Sequence, residues 1–542
     1  MKNIFLLLIL VSQTLTAQRL SKTDKAVIEN LKTEVTYLAS DQMEGRRTGT
    51  EGEKLAYEYL SKQFEKAGLI PKGNDHSFIQ TFQIDEGKQV LPSTHLIIND
   101  TALSEKDFFP FIFSSNSSVK ADASPAFKEK NMPWFWDVKE TIEENNNNPH
   151  FDLKEAIRSK AIEFARKGAS ALIVYNSGKE IADFNFDGKS KTPGLKIPVV
   201  FLYKNAEKRF LTDNSANLNI DLKVELADKS QTGHNVIGFI DNSAPYTIVL
   251  GAHYDHLGHG EDEGLSGGSK GEIFNGADDN ASGTVAVLEL AKFLKSSKLK
   301  NNNYLFICFS GEEEGLYGSK YFAENSVVPL DQINYMMNFD MIGRLNDTSH
   351  LLTIGGFGTS PTWEKILPEK TKWLNIKFDS SGVGPSDHTS FYMKNIPVLF
   401  FFTGVHKDYH KPTDDADKIN FAGEFRVIEY VENVLKETNK KEKLSFSKTK
   451  EPQMSMAHFT VTLGFMPDYT FSGSGVRVDE IIDGKNAQKI GMMAGDVITK
   501  LGDFNVTDIN NYMETLSKFK KGDSARVTVM RGNDKKSFDV IF

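Results

Sequence analysis

The chain has one cysteine in 542 residues, Cys308, so no disulfide within the chain contributes to its stability. Its neighbours Phe306, Ile307 and Phe309 mark it as a small buried hydrophobe rather than a reactive thiol. No apolar run is long enough to cross a bilayer, which excludes a helical membrane span. There is no stripe rich in Lys and Arg, and the formal net charge is −9; both speak against a nucleic-acid partner. The Gly- and Ser-rich residues 261–272 lack GxxxxGK spacing before a helix, so they read as a mobile rim loop and not as a phosphate cradle.

The length exceeds what one hydrophobic core supports, and several domains are expected. Lys2, the apolar residues 4–11 and then Leu15, Thr16 and Ala17 have the order of an export signal, expected over 1–17. The mature chain is expected to begin near Gln18, to be soluble without a membrane span, and to be periplasmic or extracellular. No cysteine follows Ala17, which speaks against a lipid anchor at that junction.

Four short apolar runs each finish near an acidic or imidazole side chain. Residues 248–252 lead to His253, Tyr254, Asp255 and His256; residues 304–309 lead to Glu312, Glu313 and Glu314; residues 336–339 lead to Asp340; and residues 398–402 precede Tyr409 and His410. Such runs read as strands buried on both faces, as in parallel sheets. Beyond the carboxyl ends of such strands lies the crevice where open α/β sheets bind ligands. Asp278 and Asp279 stand at the entrance of a segment with helical spacing, and by spacing alone either could face the crevice. Imidazoles and carboxylates together suit a borderline ion such as zinc, and one carboxylate can bridge two ions.

The segments GAHYDH, GADDNASG, GEEEGLYGS, NFDMIG and YHKPTD, in this order, resemble those of the co-catalytic di-zinc aminopeptidases of the aminopeptidase S and aminopeptidase Y type. The resemblance implies two zinc ions held by His253, Asp279, Glu313, Asp340 and His410. Asp279 would bridge, with His253 and Asp340 on one ion and Glu313 and His410 on the other. It also implies Glu312 as general base, Asp255 as the group that orients His253, Tyr409 as a hydrogen-bond donor to the substrate oxyanion, and a cis Asp279–Asn280 bond. Asp278 becomes a supporting or helix-capping residue, and Glu314 a solvated departure from the family pattern. Ser386, Asp387 and His388 cannot readily form a catalytic triad, being contiguous; they resemble a structural motif near the specificity pocket.

The implied fold is a three-layer α/β peptidase domain with a mixed, mostly parallel sheet, in two parts, 18–96 and 229–437. Before the zinc segments, Val27, Leu31, Val35 and Leu38 predict one helix, and Thr50 with Glu53 predicts a capping box opening a second. Arg46 and Arg47 between them are read as solvated or bound to local carboxylates, with cleft lining as the alternative. The run AIEFARKGASALIVYN followed by IPVVFL resembles a protease-associated domain, inserted over 97–228. Residues 438–454 are charged and aperiodic and read as a linker. Thr462, Leu463, Gly464 and Phe465 and the segments after them resemble a PDZ domain of the bacterial HtrA type, a β-sandwich or barrel-like fold over 455–542. Its groove would accept a peptide or protein C-terminus as an added strand, or stand unused.

The function implied is an exported zinc aminopeptidase acting on peptides with a free N-terminus. Carboxypeptidases and glutaminyl cyclases of related architecture are the alternatives, together with a catalytically idle peptide-binding protein.

Overall fold

The computed structural model describes residues 20–145, 151–179, 181, 184–188, 192–261, 271–449, 461–467, 474–481, 485–507, 509–516, 518–532 and 534–542. The expected signal, most of the rim loop and the end of the expected linker lie outside them. The chain forms two compact units, one of residues 1–82 with 232–542 and one of residues 83–231.

In the first unit the strands Thr247–His253, Asn303–Phe309, Ile333–Phe339 and Val398–Phe402 lie at the centre of a nine-stranded sheet. Thr247–His253 pairs in parallel with Asn303–Phe309 on one side and Ile333–Phe339 on the other, and Ile333–Phe339 pairs in parallel with Val398–Phe402. Leu226–Ile240 joins antiparallel at one side and Leu351–Gly355 at the other. The sheet is therefore mixed and mostly parallel, and four parallel strands end at one edge.

Successive side chains of a strand face opposite ways, and the core divides accordingly. Ile248, Leu250, Ala252, Tyr304, Phe306, Cys308, Met337 and Phe339 pack with the helices Lys22–Leu38, Glu51–Lys66, Gly283–Ser296 and Phe421–Thr438. Val249, Leu305, Ile307, Phe309 and Met336 pack with Phe322 and Phe391 of the helices Tyr317–Glu324 and His388–Tyr392. These are the three layers. Each Leu, Ile or Phe so buried contributes about 1.5–3 kcal/mol, which supports the fold without disulfides.

Helix Lys22–Leu38 begins with a full capping box between Ser21 and Asp24. Helix Glu51–Lys66 keeps only half of one: Thr50 accepts from the Glu53 amide, but the Glu53 carboxylate accepts from the amides of Gly49 and His234 and from the hydroxyls of Tyr254 and Ser310. Glu53 is buried, and strands brought from far along the chain supply its donors.

The strands Phe465–Pro467, Val476–Ile481, Val497–Leu501, Ser524–Arg531 and Asp534–Ile541 pair in that order around a core containing Leu463, Val478, Ile498, Val527 and Val529. Arg531 holds buried Asp496 through two hydrogen bonds of 2.7 and 2.8 Å. The stretch read as a linker is partly docked: Leu444 is buried with its amide on Asn334, and Thr449 meets the Tyr392 hydroxyl.

The 83–231 unit holds two four-stranded sheets. One is antiparallel and contains His95–Ile98, Leu218–Val224 and Ser117–Ala123. The other sets Pro133–Asp137, Ala171–Tyr175 and Val199–Leu202 in parallel, with Phe108–Pro110 antiparallel at its edge and helix Leu153–Lys167 packed against it.

Candidate metal centre and active site

His253 is the last residue of its strand, and Glu312, Asp340 and His410 follow the ends of the three parallel neighbours. Because the register is parallel, side chains far apart in sequence meet at one edge. Asp279 reaches the same place from the loop before helix Gly283–Ser296. Asn280 locks that loop by donating to the Phe339 carbonyl and accepting from the amides of Gly283 and Met341. The Asp279–Asn280 bond is cis, as the resemblance implied.

Two groups of candidate ligands result. In one, His253 Nε2 lies 3.3 Å from Asp279 Oδ1 and 3.5 Å from Asp340 Oδ1. In the other, Asp279 and Glu313 stand with His256, and His410 Nε2 is 3.3 Å from Asp279 Oδ2 and 3.1 Å from Glu313 Oε2. Asp279 takes part in both, one oxygen toward each group. Asp278 is in neither: its Oδ1 accepts from the Gly343 amide and its Oδ2 faces His406 at 3.1 Å. The buried Asp414 accepts from the amides of both Asp278 and Asp279 and so fixes which carboxylate enters the crevice.

Sequence reasoning passed over His256, whose buried Nδ1 lies 2.6 Å from Glu313 Oε1. Its ring fits because Gly276, at φ +54°, has no Cβ; one there would come within 2.5 Å of the imidazole. The signal was present, since His256 follows His253 by three residues at a strand end.

Asp255 lies beside His253 Nδ1. The Asp255 carbonyl, rather than the carboxylate, lies 3.1 Å from His253 Nδ1; Asp255 Oδ1 is 3.7 Å away. The carboxylate accepts instead from the amides of Glu312 and Glu313 at 3.2 and 3.4 Å, so Asp255 shapes the turn that presents both. Glu312 Oε2 stays 4.0 Å from His253 Nε2 and belongs to neither ligand group. Burial, with Glu313, Asp340 and Asp387 nearby, pushes its carboxyl well above the usual range despite the attraction of His253. Tyr409 stacks on His410 with 3.9 Å between ring centroids.

The donor set suits divalent cations. Burial alone would keep His410 neutral, yet Glu313 and Asp279 push it up to about 10, and Glu312 and Asp340 raise His253 likewise. Carboxylates gathered this closely around two imidazoles favour positive charge at the site. Among the described residues His256 Nε2 is buried with no hydrogen-bond partner, and His410 Nε2 faces the Asp279 and Glu313 carboxylates.

The other expectations fare variously. Glu314 is an ion-pair partner of Arg47 at 2.8 Å and is largely sheltered from solvent. Arg46 is fully buried and bonds to backbone carbonyls. His388 is stacked on Phe400 and Ser386 accepts from Asn338, so the triplet forms no triad.

The sequence pattern of peptidase family M28 matches residues 235–435, and that of the PDZ domain matches residues 444–542. Aminopeptidase YwaD of Bacillus subtilis is 28% identical over 286 residues, covering 50% of this chain and 56% of the relative. Leupeptin-inactivating enzyme 1 of Streptomyces exfoliatus is 31% identical over 192 residues, covering 34% and 39%. The chain spans about half the length of the curated relatives it matches. Among solved structures, BSAP, a zinc aminopeptidase from Bacillus subtilis, aligns with a TM-score of 0.43 at 21% identity, over 77% of this chain and 98% of that one.

Proposed function

We propose that this chain, which carries a peptidase family M28 domain followed by a PDZ domain, is an exported zinc aminopeptidase that removes N-terminal residues from peptides. The observation that carries the reading is Asp279, whose two oxygens face two separate groups of ligands. His253 and Asp340 would hold one zinc ion with it, and Glu313 and His410 the other. When bound, such a pair polarises a scissile carbonyl and makes water acidic enough to lose a proton near neutral pH.

The chain's own residues would do the rest. Glu312, near both groups but a member of neither, takes the proton of the attacking water at a carboxylate oxygen and returns it to the leaving amine. Asp255 holds the turn carrying Glu312 and Glu313, and Tyr409 donates its hydroxyl to the substrate oxyanion. Buried strands and the two helix layers exclude water from behind the site. The 83–231 unit is proposed as a protease-associated domain, and the PDZ groove as a site for a peptide C-terminus. Export rests on the sequence of residues 1–17; no helix among the described residues is long and apolar enough to cross a membrane.

Purified protein and its Glu312→Gln variant, assayed on aminoacyl chromogenic substrates and on N-blocked peptides, test the reading. The wild type should cleave only substrates with a free amine. Glu312→Gln should lose activity by about 10²–10⁴-fold while keeping its zinc. Undiminished hydrolysis by the variant refutes the mechanism, and cleavage of blocked peptides alone refutes the aminopeptidase assignment.

A further inference from the structure

We propose that Arg46 is a positioning residue that sets the separation of the segments carrying His253 and Asp279, and through them the affinity of the metal centre; this rests on the zinc reading above. Its side chain is fully buried. Nε donates to the Tyr254 carbonyl at 2.7 Å, Nη1 to those of Leu38 and Asn275 at 2.6 and 2.7 Å, and Nη2 to that of Gly276 at 2.9 Å. Tyr254 directly follows His253, and Gly276 precedes Asp279 by three residues. One planar guanidinium therefore ties the end of a strand to the loop that supplies the shared carboxylate. Lysine cannot do this, because its three donors radiate from one atom.

The backbone around Arg46 has the same purpose. Glu44, Gly45 and Arg46 take φ values of +48, +66 and +50° in succession, a conformation that L residues avoid. The Gly45 carbonyl accepts from the Gly258 amide at 3.1 Å, and the Phe274 amide donates to the Gly258 carbonyl at 2.9 Å. A Cβ on Gly45 would come within 2.5 Å of the Gly258 carbonyl and 2.7 Å of the Phe274 carbonyl. The turn is thus wedged between the segment after His253 and the segment before Asp279. Among the described residues no carboxylate forms an ion pair with Arg46, yet Asp255, Asp279, Asp414 and Glu313 all attract its charge. A fixed cation behind the crevice lets these acids gather before any metal arrives. Among the described residues its hydrogen bonds all go to backbone carbonyls, so apart from its charge it acts through the loops.

The test compares full-length wild type, Arg46→Lys and Glu44→Gly/Arg46→Lys. The double variant relieves the left-handed position at Glu44 and keeps the fold populated if the single one does not. Zinc affinity is measured by competition with a chromogenic chelator, and ligand geometry by the visible absorption of the cobalt-substituted protein. Both variants should bind zinc about 10–100-fold more weakly, with an altered cobalt spectrum and an unchanged far-UV circular dichroism. Hydrogen exchange on metal-free wild type should find the amides of Gly258 and Phe274 protected before zinc is added. Zinc affinity within twofold of wild type and a wild-type cobalt spectrum in a folded variant overturn the proposal, as do unprotected amides. Wild type that binds no zinc overturns the proposed function and this inference with it, whereas wild-type binding matched by the variants overturns this inference alone.

Discussion

The 83–231 unit and the strand ends of the nine-stranded sheet treat charge in opposite ways. In the inserted unit no Asp, Glu, Lys, Arg or His among the described residues is buried, and ion pairs such as Lys154 with Asp187 or Glu163 with Lys167 lie outside. At the strand ends His253, Asp255, His256, Asp279 and Asp340 are all buried within one crevice, with Arg46, Asp278 and Asp414 behind them. Burying an ionised group without compensation costs several kcal/mol. A fold that keeps so many in one place is bearing that cost for chemistry, whereas the insert bears none. The difference teaches where to look for a reaction: conserving stability alone would have left both regions like the insert.

The comparison can be broken most decisively at Asp279. Asp279→Ala should release both ions and leave no measurable hydrolysis, by metal analysis and aminoacyl assay; retention of two ions would show that its double position is incidental. Chelating the metal from wild type should come next in size. With free zinc at a thousand times its dissociation constant, binding adds about 4 kcal/mol to folding. Calorimetry should therefore find a transition of the unit carrying the ligands that falls on chelation and an 83–231 transition that does not. Equal shifts would show that the two regions melt together.

A smaller effect sharpens the comparison by pH. Burial pulls His388 down to about 3 from 6.5. Below pH 6.5 the unfolded chain binds a proton there that the native state refuses, so stability is full above pH 6.5. It is lost as pH falls toward 3, by at most about 1.4 kcal/mol per pH unit. His388→Asn should flatten the fall of the melting temperature with pH over that window; an unchanged slope would mean His388 does not contribute. Smallest of all, Lys154→Ala in the insert should change stability by less than about 0.5 kcal/mol in denaturant titration, because its ion pair with Asp187 is exposed.

Much of the site was legible because its residues stand at the ends of apolar runs. A run buried on both faces announces a parallel strand, and a parallel strand announces which end meets the crevice. Position therefore pointed to His253, Asp340 and the cluster Glu312, Glu313 and Glu314, and the family resemblance singled out Glu313. The choice between Asp278 and Asp279 could not be made from spacing, since it depends on Asp414 accepting two amides from across the fold. Arg46 was read as solvated or bound to local carboxylates, or as lining the cleft, because its actual partners are backbone carbonyls, which carry no signature in a sequence. Glu53 was assigned to a local cap because only local partners are visible along a chain. The docked residues near Leu444 were read as a linker for the same reason: one buried leucine among charges has no period.

The sequence by itself determined the element types, the parallel sheet and the inventory of acids and imidazoles at its edge, since these follow from short-range pattern. Only the tertiary structure decided which Asp is shared, that His256 stands against Glu313, that the Asp255 carboxylate serves two amides, and that Arg46 ties the ligand loops together. Those outcomes depend on distances between residues as many as 230 positions apart, and hydrogen bonds fall off within a few tenths of an ångström. No local pattern records such a distance; packing of the three layers sets it.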